Sequence, residues 1–347
     1  MHKVLYRFWG ALLLMTSVVA GWMAMEHFAL SKRTLHMVEA PLTYVVTPGM
    51  TLTEVVSQLS DQGILHRPWV LLWYARLHGK ATQIKAGEYR LDAGTTPLQL
   101  LDMLVSGRVV QHALTLVEGW TFKEVLAAVR AHPHITQTLT GLQPEGIMDA
   151  LGLGGIHPEG WFYPETYYFP SALNDRDFLR RAYSTMRKRL QLEWEGRASG
   201  LPYRKPYEAL ILASIIEKET GRHDERERIA GVFVQRLNKG MRLASDPTVI
   251  YGLGNAFDGD LRRRDLKEVT PYNTYRRSGL PPTPIAMPGG DAIRAALHPE
   301  FGDALFFVAR GDGSHHFSAT YREHLRAVTR YQLQRQQDRH GQRRTDD

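Results

Sequence analysis

The run from Phe8 to Met25 holds eighteen residues without a charge. At ~1.5 Å per residue, a helix of that length just crosses a hydrocarbon core of ~30 Å. Lys3 and Arg7 precede the run, and Glu26, Lys32 and Arg33 follow it. Trp9 and Trp22 stand near its ends, where interfacial aromatics belong. The early positive charges predict cytoplasmic residues 1–7 and a single-pass anchor over 8–28. No small-x-small cleavage pattern follows the run, which argues against a removed signal peptide. With one span, roughly 315 residues are left to fold outside the membrane, on its far side.

The rest of the composition suits that placement. The chain has no cysteine, so disulfides, thiol catalysis and cysteine-bound zinc are excluded. Fifteen histidines occur, none in a spacing such as His-Glu-x-x-His, and neither a metal nor another cofactor is expected. His315-His316, after Gly311 and Gly313, reads as a polar loop. The net charge of +7 includes a basic tail over 331–347 and favours an anionic partner. Nucleic acid is not that partner, since the basic residues are not interleaved with aromatics.

Residues 40–130 contain a repetition. Thr43-Tyr44-Val45-Val46, Pro48-Gly49-Met50-Thr51 and Leu52 to Leu59 read as strand, glycine turn, threonine N-cap and amphipathic helix. Tyr89-Arg90-Leu91 with Thr95-Thr96 repeats the pattern, and Leu114 to Val117 with Thr121 repeats it again. Units this short cannot hold separate cores, so the three are expected to pack together. Residues 131–156 are rich in glycine and read as a connector. Trp161, Phe162, Tyr163, Tyr167, Tyr168 and Phe169 then crowd nine residues, as core rings or as a sugar-stacking surface. Glu165 lies among them, within reach of sugar hydroxyls. Residues 178–195 form a basic amphipathic helix.

Leu210 to Ile216 is almost uninterruptedly apolar and predicts a helix buried on most sides. Gly221 is its expected C-cap, which sets Glu217 and Glu219 in the last turn. The negative helix end and apolar packing should both raise a carboxyl pKa there, as a general acid requires. The bland alternative is a pair of solvated glutamates around Lys218. Another helix follows over 225–238, and Asp246-Pro247 marks a third helix start. Five prolines between Pro271 and Pro288 predict a rigid loop over the surface, as a groove wall or a plain wrap. Residues 304–309 form a buried strand.

Leu212 to Thr220, Ser245-Asp246-Pro247-Thr248, Tyr272-Asn273-Thr274-Tyr275 and Gly279-Leu280-Pro281-Pro282, in that order, resemble the endolytic murein transglycosylase family called MltG or YceG. Glu159-Gly160-Trp161-Phe162 and the anchor match too, so the resemblance covers nearly the whole chain. Tyr44-Val45-Val46 with Gly49 to Leu52 is similar to LysM, a small βααβ glycan-binding module, although a packing role is the equal alternative. The fold class implied is α+β: an N-terminal transmembrane helix, a LysM-like βα subdomain and a mixed α/β YceG-like catalytic domain over 155–330. The implied enzyme sits in the inner membrane with its catalytic domain in the periplasm. It cuts nascent peptidoglycan strands between N-acetylmuramic acid and N-acetylglucosamine, leaves a 1,6-anhydro end, and works beside penicillin-binding proteins.

That chemistry needs one carboxyl, which protonates the leaving oxygen and then assists attack by the sugar's own 6-hydroxyl. Residues two apart on a helix point about 200° from each other, so Glu217 and Glu219 cannot both face one bond. Glu219, nearer the helix end and followed by Thr220 as in the Glu-Ser pair of other lytic transglycosylases, is the expected acid. Glu217 is the second choice, or a structural partner of an arginine or backbone group. Asp246, Thr248, Asn273 and Tyr275 are the expected sugar-holding residues. Two alternatives remain at this stage: a muramidase-type hydrolase with Asp246 as base for a water, and a membrane-tethered glycan-binding scaffold without catalysis.

Overall fold

The computed structural model describes residues 2–171 and 173–333. The expected basic tail falls outside these residues from 334 onward. The chain divides into two compact units that part at His112/Ala113, with Tyr168–Ala172 returning to the first.

The first unit opens with helix α1 (His2–Lys32), 31 residues long. Its stretch Trp9–Lys32, of mean hydropathy 1.3, is long and apolar enough to cross a membrane. The helix runs past the expected end at 28 because Glu26 does not stop it. That carboxylate is 7% exposed and accepts from Arg67 Nη1 at 2.9 Å, while Leu30 enters the unit's core. The chain continues as β1 (Leu42–Val46), α2 (Leu52–Asp61), α3 (Pro68–Leu77), β2 (Gly87–Leu91) and α4 (Pro97–Ser106). β1 and β2 pair antiparallel with Tyr44 opposite Tyr89. Thr51 and Thr96 each close a capping box, with Glu54 and Gln99, so the threonines do fix these helix starts. Val55, Leu59, Leu71, Leu100 and Leu104 fill the space between the pair and the helices.

Strands β3 (Gln111–Thr115) and, further on, β5 (Thr166–Pro170) carry the chain across the boundary between the units. In the second unit α5 (Phe122–Ala131) is again N-capped by threonine, here Thr121. It belongs to the second unit, whereas the first two repeats, with which the sequence pattern predicts a shared core, belong to the first. Gly119 N–H donates to Met287 O at 2.9 Å, Met287 N–H returns to Trp120 O at 2.7 Å, and Phe122 N–H donates to Glu159 at 2.9 Å. Those bonds commit the third repeat to the second unit. The glycine-rich connector contains β4 (Ile135–Thr136) and α6 (Pro144–Ala150). β4 pairs with β6 (Leu173–Asn174), which leads into α7 (Asp175–Glu195). The buried Asp175 carboxylate accepts from Thr138 and Leu139 N–H, both at 3.0 Å, and so ties the connector to the start of α7. Of the aromatic run, Phe162, Tyr167 and Phe169 are core, whereas Tyr168 is exposed.

Around α8 (Pro206–Glu219) pack α7, α9 (Arg226–Asn238), α10 (Asp246–Leu253) and α11 (Gly290–Leu297). Leu210, Leu212, Ala213, Ile215 and Ile216 of α8 are fully enclosed, as the apolar run predicted. The proline-rich segment departs from expectation, because residues 283–289 lie inside the fold rather than over it. Burial is tolerable because proline brings no N–H to satisfy. Three of the donors that remain have specific partners: Ile285 N–H bonds to Ser214 Oγ at 3.0 Å, Met287 N–H to Trp120 O, and Gly289 N–H to Glu217 at 2.9 Å. The chain closes with β7 (Phe306–Ala309), β8 (His315–Ser318) and α12 (Tyr321–Val328), β7 and β8 pairing antiparallel. His315 and His316 therefore belong to a strand, not a loop.

α9 can approach the segment after α11 only because residue 231 is glycine. A β-carbon there would stand 2.0 Å from Glu300 O. Gly231→Ala should destabilise the protein by about 2 kcal/mol, read as a lower denaturation midpoint.

Candidate active site

Helix α8 ends at Glu219 itself, with Thr220 extended at φ −143°. Gly221 is not the cap expected from the sequence. Thr220 N–H still reaches Ile216 O at 3.4 Å, so the glutamate is held on the last hydrogen-bonded turn. Its Oε2 accepts from Ser245 Oγ at 2.8 Å. Burial pushes the Glu219 pKa up, the charge of Asp246 adds to the rise, and Ser245, His315 and Arg236 oppose it. The carboxyl lines a cavity of about 510 Å³ together with Arg236, Asp246, Tyr275, Phe307 and His315.

Glu217, two residues earlier, leaves the helix in another direction, as the spacing required. Its Oε1 accepts from Arg226 Nη2 at 3.1 Å and its Oε2 from Gly289 N–H at 2.9 Å. Both side chains of the ion pair are nearly enclosed. Burial raises this pKa as well, against the opposing pull of Gly289 and Arg226. Glu217 thus joins α8, the start of α9 and the start of α11, and it does not line the cavity of Glu219.

The four expected sugar-holding residues divide into two pairs. Asp246 and Tyr275 line the cavity and bond to each other, Tyr275 Oη donating to Asp246 Oδ1 at 2.6 Å. Burial, and then Asp246, push the Tyr275 phenol up, so its hydroxyl stays a donor. Thr248 and Asn273 are fully buried and do not line this cavity. Thr248 Oγ1 donates to Ser245 O at 2.7 Å, and Asn273 Nδ2 donates to Glu268 O at 2.6 Å while its Oδ1 accepts from Tyr275 N–H at 2.9 Å. Their polar groups are used in shaping the loops that present Ser245 and Tyr275. Ser245, not Asp246, caps α10, and it follows Ala244, whose φ of 50° is left-handed. That costs a residue with a Cβ of order 1 kcal/mol and turns the serine toward Glu219.

Sequence reasoning missed three groups. Arg236 reads as one more helix residue of α9, yet it is buried, donates from Nε to Leu305 O at 2.7 Å and stacks over Phe306. Burial lowers its pKa, but a guanidinium remains charged, so it gives the cavity a fixed positive wall. His315, a half-hidden strand residue, is bonded through Nδ1 to Glu225 Oε2 at 2.7 Å. Alternation along residues 315–318 was the only available signal for it. Glu159 is buried away from that cavity, where its oxygens accept from Phe122 N–H at 2.9 Å and Tyr251 Oη at 3.0 Å. Burial raises its pKa to about 7.

The cavity thus brings a desolvated carboxyl at a helix end together with a second carboxylate, Asp246, and the cation of Arg236. The chain belongs to the YceG-like family, whose model matches residues 44–330. It is 31% identical over 306 residues to the endolytic murein transglycosylase of Bacillus subtilis strain 168, covering 82% of this chain and 83% of that one. The endolytic murein transglycosylase of Streptococcus pneumoniae R6 is 27% identical over 326 residues, covering 84% of this chain and 58% of the relative. The crystal structure of a yceG-like protein from Listeria monocytogenes superposes with a TM-score of 0.53 at 27% identity, over 83% of this chain and 99% of that one.

Two outcomes follow from the buried carboxyls. Glu217→Gln should lower stability by about 2 kcal/mol in chemical denaturation, since Arg226 loses its most enclosed counter-charge. Glu159 holds a proton in the folded state up to about pH 7 and releases it near 4.5 when unfolded. The folded state binds more protons between these values, so stability falls as pH rises through that window. Glu159→Gln, which mimics the neutral acid, should flatten the fall, measured by denaturant titration at stepped pH.

Proposed function

We propose that this chain is a membrane-anchored endolytic lytic transglycosylase that cuts the N-acetylmuramic acid–N-acetylglucosamine bond of peptidoglycan strands, with Glu219 as its acid and base. The observation that carries the reading is the separation of the two glutamates: Glu217 is taken by Arg226 and Gly289, while Glu219 faces the cavity with only a serine hydroxyl bonded to it. Relatives named endolytic murein transglycosylases, at 27–31% identity over most of the chain, supply the substrate class.

Protonated Glu219 donates to the glycosidic oxygen as the C–O bond breaks, and the charge growing on the anomeric carbon is met by the Asp246 carboxylate across the cavity. The Glu219 carboxylate then takes the proton of the 6-hydroxyl, whose oxygen closes on the anomeric carbon. No water is consumed, and the product end is 1,6-anhydro. Asp246 and Tyr275 hold the sugar. α1 is the single span, its N-terminus is cytoplasmic under the positive-charge rule, and the catalytic domain is periplasmic. The β1–α2–α3–β2 arrangement suits a glycan-gripping module of LysM type, and glycan-synthesising penicillin-binding proteins are the natural suppliers of nascent strands.

The test is mass spectrometry of purified glycan strands after incubation with the full chain in lipid. Wild type should release anhydro-ended fragments, and Glu219→Gln should slow release by about 10²–10⁴-fold. The rate should fall as pH rises through the raised Glu219 pKa, because the acid must begin protonated. Reducing ends would assign the Asp246–Glu219 pair to a hydrolase that activates water. Unchanged turnover in Glu219→Gln would remove Glu219 from the mechanism.

A further inference from the structure

Helix α3 carries an apolar stripe that the first unit covers only in part. Val70, Leu71 and Ala75 face the core, whereas Trp69, Trp73 and Leu77, at i, i+4 and i+8, are 52%, 44% and 60% exposed. Three large apolar side chains on one helical face are costly to leave in water. The position of this stripe on the chain is set by α1. Trp69 stacks on Trp22 with ring centroids 6.1 Å apart, Trp73 lies 6.4 Å from the same ring, Tyr74 stacks on His27, and Arg67 pairs with Glu26. α3 therefore meets α1 between Trp22 and His27.

That is where the uncharged run of α1 ends. The uncharged residues up to Met25 belong in hydrocarbon, with Trp22 at its outer edge, and Lys32 and Arg33 belong in water, so Glu26 to Leu30 occupies the headgroup layer. A helix packed against that stretch occupies the same layer. Its exposed tryptophans have the amphipathic rings that such a layer accommodates. On the same stretch of α1, Met25 and Phe28 are exposed as well. Around it stand the exposed cations Lys32, Arg33, Arg67 and Arg76, and a cavity of about 730 Å³ opens among Lys32, Arg33, His36, His66 and Arg67. An apolar stripe rimmed by cations is complementary to a bilayer bearing anionic phosphate headgroups.

We infer that α3 is an interfacial helix: it lies in the outer headgroup layer beside the span and seats the first unit on the surface of an anionic bilayer. The inference rests on the reading of α1 as a membrane span. It assigns α3 an occupant, the lipid surface, that neither the family nor the site chemistry supplies. A unit held at two places, by the span and by α3, cannot swing freely about its anchor.

The absence of cysteine makes the test direct. Single cysteines at Leu14, Leu77 and Asp92 of the full chain carry an environment-sensitive fluorophore. The protein is reconstituted into phosphatidylcholine vesicles with and without phosphatidylglycerol, and lipids with quenchers at graded depth are added. The Leu14→Cys label should be quenched most by deep quenchers and the Leu77→Cys label by shallow ones, while Asp92→Cys should be unaffected. Shallow quenching at Leu77 should increase with phosphatidylglycerol and lose that increase in Lys32→Gln/Arg33→Gln. Quenching at Leu14 without quenching at Leu77 would overturn the interfacial helix and leave the span standing. No quenching at Leu14 would overturn both. A blue shift at Leu77 that grows with protein density but resists lipid quenchers would assign the stripe to a second copy and overturn the proposal.

Discussion

The Glu217–Arg226 ion pair is the contact on which the second unit depends. Two charges are taken from water at the point where α8, α9 and α11 converge, and the cost is offset only because the geometry is close and Gly289 N–H supplies a further bond. The pair fixes the last turn of the central helix, and with it the direction in which Glu219 leaves that helix. Glu217 thereby holds Arg226, which does not line the cavity of Glu219. Glu219 is left with a hydroxyl and with cations at a distance, which is why its carboxyl stays desolvated rather than neutralised.

The buried proline-rich segment performs a related service. It passes through the core with few backbone donors, and three of them, on Ile285, Met287 and Gly289, are met by Ser214, Trp120 and Glu217. Two of those partners, Ser214 and Glu217, stand on α8, upstream of Glu219. The third draws in the strand–turn–helix repeat at Thr121, which by sequence pattern looks like a companion of the two repeats in the first unit. Pattern alone cannot tell which unit will claim a repeat. The backbone pairing between Gly119, Trp120 and Met287 decides it, across more than a hundred and sixty residues of chain.

What the sequence made legible follows period and cap chemistry. The enclosed face of α8, the threonine caps at Thr51, Thr96 and Thr121, and the opposed directions of Glu217 and Glu219 can all be read from local rules. Burial of irregular chain cannot. Residues 283–289 lack any period, so their proline content suggested a surface wrap. Thr248 and Asn273 sit in polar motifs that look like ligand contacts, yet both are spent on the loops behind the site. Arg236 and His315 reach the cavity through long-range packing of β7 and β8 against α9, a relation absent from any short window. The long apolar start of the chain was legible as a helix long and apolar enough to cross a membrane, and its continuation past Glu26 was not, because it depends on Arg67.

The serine at 245 has a consequence of its own. A carboxyl that gives up a proton and takes one back needs a neighbour that can reverse roles without moving. A backbone N–H cannot, since it only donates, and a fixed cation would hold the group permanently ionised. A hydroxyl can donate to the carboxylate and, by rotating its hydrogen, accept from the acid. At 2.8 Å from Glu219, on a backbone turned by the left-handed residue before it, Ser245 is such a neighbour. The two halves of a catalytic cycle can then share one heavy-atom arrangement, differing only in where a single hydrogen points.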